Sequence, residues 1–535
     1  MYGRTTRMHI NSLRKYNFPE TETNGVNMMV ISGDAETDDD ALITSQPDFP
    51  ETDTAGGGGT GTAFVNLSMC EQLTADQQAA LRGLLALYPD VFSTRPGCTN
   101  WIEHKIRLTD DIPCFQTPYR VPESMKDAVE AQLLDMVRND IIQHDETTPY
   151  CSPLVVVKKR DNTIRLCNNF IQLNSKTINE QYRMGNLTDL VSRVAGASHI
   201  TRLDIKQAYF QIPLEAESIK YTGFQTFCGS FTYKRMPMGL KCASSSCERL
   251  VSMVLRGMHK YTGSLIDDIL IFSKEFDLHL QHVQNVLERL RQAGLTVNNM
   301  KCKFAANDIL ILGFHVRDGL IYPDESKISA VVNYPAPKNK TQLKAFLGLT
   351  SFLRGHISHY ATIAYPLFEL LKRNKPDKLV WGERELSAFD QMKSCLASKP
   401  AIQAPDMSKP WVIMADSSKV AVSAILLQRD EERADSPMHV VSYASRKLLQ
   451  REQNYATVEQ ELLAIIFGLS KFHHYVHGHK IDVYTDHQGL KWLNSLVRHS
   501  PRLARWSLIL QNHDITMHYI KGKDQIADCF TRATV

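Results

Sequence analysis

Hydrophobic and polar positions follow two different periods along this chain, and each period indicates a different element. Apolar residues spaced three and four apart predict helices over 77–87, 121–139, 243–258, 276–293, 340–357, 361–373 and 457–475. Short runs of apolar β-formers predict strands over 152–158, 164–168, 199–203, 223–228, 231–235, 411–415, 420–427, 440–445, 480–484 and 515–520. From residue 411 onwards, three strands in succession and then alternating helices and strands predict a compact mixed α/β sheet.

Acidic residues stand at the ends of two predicted strands. Asp267 and Asp268 are neighbours within SLIDDILIFS (264–273), and Asp204 follows the strand in TRLDIKQAYFQIPL (201–214). Adjacent carboxylates cost several kcal/mol if they are buried unpaired. Asp267 and Asp268 are therefore either a solvated hairpin turn or part of a cation site. A carboxylate from the second strand favours the cation site, since two Mg²⁺ ions held side by side catalyse phosphoryl transfer.

Composition narrows the class of protein. The 535 residues predict three or four domains, and 43% hydrophobic with 22% charged residues is typical of a soluble globular protein. The sequence contains neither an apolar run of membrane-spanning length nor a secretory leader pattern, so we expect a cytoplasmic protein. Residues 16–81 hold twelve acidic residues and no Lys or Arg, which leaves the remainder basic and suited to a polyanionic partner.

Four motifs occur along the chain in the same order as in a known protein family. They are LDIKQAYF around Asp204, MPMGLKCA (236–243), IDDILIF around Asp267, and ILGF (311–314). Together they resemble the successive motifs of the reverse transcriptase of gypsy-type LTR retrotransposons, and the similarity runs from about residue 73 to 532. The resemblance implies a right-hand polymerase with fingers, palm and thumb, an RNA template, a DNA primer and dNTP substrates.

The resemblance also implies roles for individual residues. Asp204 and Asp267 would hold two Mg²⁺ ions (or Mn²⁺), Asp268 would support the site, and Ile205 would offer only its backbone carbonyl. The residues implied to contact the dNTP or the primer end are Lys159, Arg160, Arg165, Tyr209, Met238, Gly239, Leu312 and Gly313. From the residues alone, the favoured interpretation of Tyr209 is a core tyrosine on the opposite strand face, whereas a solvated hairpin and a triphosphate contact are equal interpretations of Lys159, Arg160 and Arg165.

A second carboxylate set lies in the C-terminal α/β region. Asp416 follows a strand, Glu461 lies in the helical motif EQELLAI, Asp486 ends a strand, and Asp528 lies in QIAD. This set resembles ribonuclease H, which implies two further Mg²⁺ ions and cleavage of the RNA in an RNA/DNA hybrid. Glu459 and Glu461 are about 200° apart around the helix, so only one can face the set, and the family register favours Glu461.

Histidines near this region leave two interpretations open. His487, after Asp486, could contact the scissile phosphate or make a structural hydrogen bond. His473, His474, His477 and His479 have zinc-ligand chemistry, but zinc sites more often pair such clusters with cysteines, and none is near. We interpret these four residues as the exposed end of a helix.

The predicted organisation is a multidomain α/β protein. Its parts are a disordered acidic and Gly-rich linker (1–62), polymerase fingers and palm (63–275), thumb (276–339), connection (340–405) and a ribonuclease H-like domain (406–535). We expect a reverse transcriptase with ribonuclease H activity, part of a retrotransposon Pol polyprotein, that acts in a cytoplasmic retroelement particle with access to the nucleus.

Some positions depart from the family pattern. Leu265 stands where a Tyr is usual, and Asn169 and Ile171 replace an Asp and an Arg. Removal of both members of a charge pair is milder than removal of one. An alternative prediction is therefore a catalytically weakened or inactive nucleic-acid-binding protein derived from a retroelement.

Overall fold

The structure is a computed structural model that describes residues 73–158, 163–180, 187–311, 313–431, 433, 436–487 and 501–520. The predictions for residues 1–62, Lys159, Arg160, Leu312 and Asp528 lie outside these residues. Within them, no helix is both long and apolar enough to span a bilayer. The domain boundaries stay a prediction.

The region before residue 307 is a mixed α/β assembly around one large core. Its helices are α1 (Ala75–Ala86), α2 (Lys126–Arg138), α3 (Ile171–Lys176), α4 (Leu187–Ala195), α5 (Ala243–Val254) and α6 (Phe276–Gln292). Its strands are β1 (Ile142–His144), β2 (Leu154–Lys158), β3 (Ile164–Asn168), β4 (His199–Asp204), β5 (Phe224–Thr226), β6 (Gly229–Tyr233), β7 (Thr262–Leu265), β8 (Asp268–Ser273) and β9 (Lys303–Ala306).

The central antiparallel sheet of this region has the order β7-β8-β4-β9, and β1-β6-β5 and β2-β3 form two smaller sheets. Half of the residues of β4 and all but the first residue of β8 are buried. Helices α5 and α6 pack behind the sheet through residues such as Val251 and Val283, which are fully buried. The sheet is therefore rigid at the position where its acidic strand ends meet.

The middle region combines a four-stranded sheet with four helices. The sheet order is β10 (Asp308–Ile311), β11 (Phe314–Arg317), β12 (Leu320–Pro323) and β13 (Ile402–Gln403). The helices are α7 (Glu325–Val332), α8 (Lys340–Phe352), α9 (Tyr360–Leu370) and α10 (Glu383–Ala397). The predicted helix over 340–357 ends earlier, at Phe352, because a short 3₁₀ turn (Arg354–His356) follows and His359 adopts a left-handed conformation with φ of 51°.

The C-terminal region confirms the predicted order of strands and helices. It contains β14 (Trp411–Ser417), β15 (Ala421–Arg429), β16 (Met438–Lys447), α11 (Gln450–Gln453), α12 (Thr457–Lys471), α13 (His473–Val476), β17 (Lys480–Thr485), α14 (Pro501–Gln511) and β18 (Asp514–Tyr519). The sheet order is β16-β15-β14-β17-β18, and β14 runs parallel to β17. Helix α12 packs across β14 and β15 through a continuous apolar core, which brings its N-terminal half near the end of β14.

Candidate active sites

The first carboxylate site consists of Asp204, Asp267 and Asp268. Strand β4 ends at Asp204 and strand β8 begins at Asp268, and the two residues are direct partners in the antiparallel ladder. Partners of this kind have Cα atoms about 4.5–5.5 Å apart. The backbone carbonyl of Asp267 accepts a hydrogen bond of 2.9 Å from the N–H of Ile205, next to Asp204. The structure thus confirms the predicted convergence of these acidic strand ends.

Burial and mutual repulsion make this site electrostatically unfavourable without a cation. Burial, with the charges of Asp268 and Asp267 and against those of Lys301 and Arg202, raises the pKa of Asp204 to about 7. Burial also raises the pKa of Asp268, against the lowering effect of Arg202. A divalent cation would remove this penalty, so the donor set fits the Mg²⁺ that the sequence predicts.

Asp268 differs from the other two carboxylates in its partner. Its Oδ1 atom accepts from Nε of Arg202 at 3.0 Å, and both side chains are mostly buried. Two groups of three residues in the described part of the chain have ligand atoms that all lie within 4.8 Å of one another. Asp204, Asp267 and Asp268 are not one of these groups. Arg202 thus compensates the charge of Asp268, and the metal-binding roles of Asp204, Asp267 and Asp268 stay predictions.

The turn that carries Asp267 is strained. Ile266 has a φ of 53°, a conformation that β-branched residues rarely adopt and that costs about 1–3 kcal/mol. Two contacts from helix α5 hold it: the N–H of Ile266 donates to Oε2 of Glu248 at 3.1 Å, and the Cys247 thiol donates to the Ile266 carbonyl at 3.6 Å. Glu248 is buried, and burial raises its pKa. Glu248 is thus a positioning residue that was not predicted from the sequence.

Replacement of Glu248 by Ala is expected to lower dNTP incorporation about tenfold or more, because the strained turn loses its acceptor and Asp267 moves. Glu248→Gln retains an oxygen at that position and is expected to keep most of the activity. Steady-state primer extension measures both variants, and near-ultraviolet circular dichroism checks their folding. Full activity in Glu248→Ala would contradict the positioning role.

The residues implied to contact substrate lie on several elements around the first site. Strand β4 ends at Asp204 and a 3₁₀ turn (Ala208–Gln211) carries Tyr209, so the strand alternation that would place this side chain on the opposite face does not apply. The Tyr209 hydroxyl lies 3.2 Å from Oγ of Ser244. Gly239 has a φ of 94°, which favours glycine there, and Met238 beside it is exposed.

Two further predicted residues lie on hairpins. Arg165 lies on β3 opposite Val157 of β2. Gly313 forms the tip between β10 and β11 with a φ of 87°, and an added Cβ would contact the ring of Phe352. No contact of these residues with substrate is tested by the structure, so their binding roles stay predictions.

Of the positions that depart from the family pattern, Leu265 is half-buried at the end of β7, and Asn169 and Ile171 lie at the start of α3. Asn169 is half-buried and its side chain accepts from the N–H of Ile171, a residue that is 67% exposed. Neither residue leaves a buried charge unpaired. The preceding Asn168 is buried and accepts a hydrogen bond of 2.8 Å from the Tyr233 hydroxyl. Asn169 and Ile171 therefore fit this segment without an unpaired buried charge.

The second carboxylate site consists of Asp416, Glu461 and Asp486. Asp416 lies near the end of β14, Glu461 in the second turn of α12, and Asp486 directly after β17. One ligand atom from each residue lies within 4.8 Å of the others. Because β14 and β17 are parallel neighbours, their carboxyl ends meet at one edge of the sheet, under helix α12.

Glu461 has the geometry of a cation ligand. Its Oε1 atom accepts from the Ser417 hydroxyl at 2.6 Å, whereas its buried Oε2 atom has no hydrogen-bond partner in the described structure. Glu459 instead faces Arg502, whose Nη1 lies 2.8 Å from its Oε2. The structure thus brings Glu461 and not Glu459 to Asp416 and Asp486, as the sequence predicts. The orphaned oxygen is a site that a bound cation would satisfy.

A histidine from the middle region reaches the second site. Nδ1 of His359 lies 3.8 Å from Oδ2 of Asp416, and its left-handed backbone, just before α9, directs it there. Burial raises the pKa of Asp416, and His359 opposes this shift. His359 was not predicted from the sequence, because its partner is distant along the chain. His487, which was predicted, donates its backbone N–H to Oγ1 of Thr485 at 3.2 Å.

The pKa of Glu461 predicts a measurable dependence of stability on pH. Burial raises this pKa to about 7, so the metal-free folded state binds a proton between about pH 4.5 and 7 that the unfolded state has lost. Stability therefore falls as pH rises through that window, by on the order of 1–3 kcal/mol. In EDTA, Glu461→Gln is expected to unfold a few degrees higher than the parent chain at pH 8 and at the same temperature at pH 4. Differential scanning calorimetry measures this, and an equal gap at both pH values would contradict it.

Comparison with known proteins places both sites in a family context. Residues 157–316 match the sequence model of the reverse transcriptase (RNA-dependent DNA polymerase) family. Residues 406–513 match that of the RNase H-like domain found in reverse transcriptase. The retrovirus-related Pol polyprotein from transposon 297 of Drosophila melanogaster is 32% identical over 87% of this chain and 44% of its own length. The corresponding polyprotein from transposon gypsy of the same organism is 31% identical over 80% of this chain and 42% of its own.

A solved structure shares the fold. The foamy viral protease-reverse transcriptase dRH in complex with double-stranded DNA superposes with a TM-score of 0.75 at 18% identity, over 86% of this chain and 80% of that one. The mixed α/β architecture with a polymerase and an RNase H-like domain is thereby confirmed. The chain spans less than half the length of the curated relatives it matches. Residues 157–316 and 406–513 belong to the reverse transcriptase and RNase H-like families, and the homologues of the chain are retrotransposon Pol polyproteins, gypsy among them.

Proposed function

We propose that this chain copies RNA into DNA at the first carboxylate site and hydrolyses the RNA of the resulting hybrid at the second. The observation that carries the proposal is the separate convergence of two acidic sets, one in each family domain. When bound, two Mg²⁺ ions per site would activate the attacking oxygen and neutralise charge on the leaving oxygen. Mn²⁺ can serve the same donor set.

At the first site, the residues of the chain bind and orient. Asp204 and Asp267 would share the cations. Nε of Arg202 lies 3.0 Å from Oδ1 of Asp268 and compensates the charge of that carboxylate. Arg165 on β3, together with Lys159 and Arg160, would neutralise the triphosphate. Gly239 would allow the backbone to approach the nucleotide closely, while Tyr209 would lie under the sugar.

At the second site, Asp416, Glu461 and Asp486 would hold the cations while the Ser417 hydroxyl orients Glu461. Asp528 would complete the set. His359 lies beside Asp416 and lowers the pKa of that carboxyl group, so it would help Asp416 to stay charged when no cation is bound. The substrate would be an RNA/DNA hybrid, and a neighbouring fold was solved with double-stranded DNA, which supports a duplex partner.

One assay on the unaltered chain tests the proposal. A DNA primer labelled at its 5′ end is annealed to an RNA template labelled with a second dye, and Mg²⁺ with dNTPs is added. We expect primer extension and shortening of the RNA, both abolished by EDTA. A chain that binds the primed template but neither extends the primer nor cleaves the RNA would support the alternative function. That alternative is an inactive nucleic-acid-binding protein, which the altered positions Leu265, Asn169 and Ile171 suggest.

A further inference from the structure

A cluster of three histidines lies on the RNase H-like domain, outside both carboxylate sites. It consists of His473 and His477, around the short helix α13, and His513, which lies between α14 and β18. One ring nitrogen from each lies within 4.8 Å of the others. Tetrahedral coordination at about 2.0–2.1 Å needs nitrogens about 3.4 Å apart. Small side-chain rotations close that difference, since His473 and His477 are exposed.

The surroundings of the cluster favour a cation. Nδ1 of His513 is shielded from solvent and has no hydrogen-bond partner in the described structure, so this ring offers a nitrogen that no protein group satisfies. His473 and His477 follow the C-terminal end of α12 and His513 follows that of α14, and helix C-termini carry partial negative charge.

The backbone holds the geometry: the His477 N–H donates to the His473 carbonyl at 2.9 Å, and the His513 N–H donates to the Leu510 carbonyl at 3.0 Å.

We propose that His473, His477 and His513 bind one divalent transition-metal ion, with Zn²⁺ the best-suited chemistry. Three imidazoles suit zinc, copper or nickel, whereas Mg²⁺ and Ca²⁺ prefer oxygen ligands. The ion would fasten the end of α12 to the turn between α14 and β18. His473 lies 12 residues after Glu461, roughly 18 Å along a helix, so this site is separate from the second carboxylate site.

The sequence alone favoured the opposite interpretation. Because no cysteine lies near them, the sequence predicts that His473, His474, His477 and His479 form the exposed end of a helix. The structure selects two of the four and adds His513, which the sheet pairing of β17 with β18 brings alongside. His474 and His479 lie outside the group of three and are therefore matched controls.

Zinc titration of the full chain, purified without a histidine tag, tests the proposal. Millimolar Mg²⁺ is present throughout to occupy the carboxylate sites, and a chromophoric chelator reports free Zn²⁺. We expect one Zn²⁺ per chain with a micromolar or lower Kd, and a rise in the unfolding temperature. His513→Gln and His477→Gln are expected to weaken this binding at least tenfold and to lose the rise, whereas His474→Gln and His479→Gln keep both.

Two results would overturn the proposal. One is a parent chain with no Zn²⁺ site of micromolar affinity under these conditions. The other is undiminished binding in His513→Gln, which would assign the ion to the neighbouring histidines on one segment. Circular dichroism of each metal-free variant shows whether it is folded, and His473→Gln provides a second variant should His513→Gln fail to fold.

Discussion

Replacement of Asp204 by Asn is expected to lower Mg²⁺-dependent dNTP incorporation by roughly 10³-fold, since the metal clamp contributes several kcal/mol to transition-state stabilisation. Asp204 pairs with Asp268 across β4 and β8 and is the carboxylate whose pKa burial raises to about 7. Asn has the same shape but carries no charge, so it removes cation binding and not the strand pairing. Single-nucleotide incorporation on a primed RNA template measures the loss.

RNA cleavage by the same Asp204→Asn preparation serves as an internal control. Asp204→Asn should cleave the RNA of a hybrid at the parent rate, because the second carboxylate site belongs to a different sheet. Loss of both activities would indicate misfolding, which circular dichroism would reveal. Undiminished incorporation by a folded Asp204→Asn would refute the assignment of the first site.

Replacement of Glu461 by Gln is expected to lower cleavage of the RNA in a hybrid by roughly 10³-fold, for the same reason. Glu461 contributes the buried Oε2 atom that has no hydrogen-bond partner among the described residues, and its ligand atom lies within 4.8 Å of those of Asp416 and Asp486. Gel analysis of a hybrid with labelled RNA measures the rate, and primer extension by the same variant is expected to remain unchanged.

Glu459 provides a matched control on the same helix. It is two residues from Glu461, but its carboxylate forms an ion pair with Arg502 and faces away from the cluster. Glu459→Gln therefore removes one acidic group from α12 without altering the second site, and cleavage should stay within about twofold, because such partly exposed ion pairs contribute ~1 kcal/mol or less. Equal losses in the two variants would mean that net charge, not the position of Glu461, governs cleavage.

The sequence was most informative where chemistry and periodicity agree. Asp204 and Asp267 could be predicted because acidic side chains at the ends of apolar strands are costly to bury unless a cation or another partner compensates their charge. Glu461 could be chosen over Glu459 because the helical period allows only one to face the strands, and the structure gives Glu459 a partner of its own in Arg502.

Partners that are distant along the chain could not be predicted in this way. Glu248 supports a turn at Ile266, His359 approaches Asp416 from another region, and His513 joins two histidines on a different segment. Each of these contacts depends on how distant elements pack together, so it produces no recognisable pattern in the local amino-acid sequence. Strands β1, β9, β10, β11, β12 and β13 were not predicted either; β13, for example, has only two residues and pairs with β12, far earlier in sequence.

Anomalous diffraction from crystals of the chain soaked in Mn²⁺ with a bound hybrid tests the central claim most directly. We predict manganese peaks between Asp204 and Asp267 and among Asp416, Glu461 and Asp486, since burial and mutual repulsion leave both sets in need of cations. A crystal in which Mn²⁺ is absent from either carboxylate set, while the hybrid is bound, would contradict the account of two metal-dependent active sites.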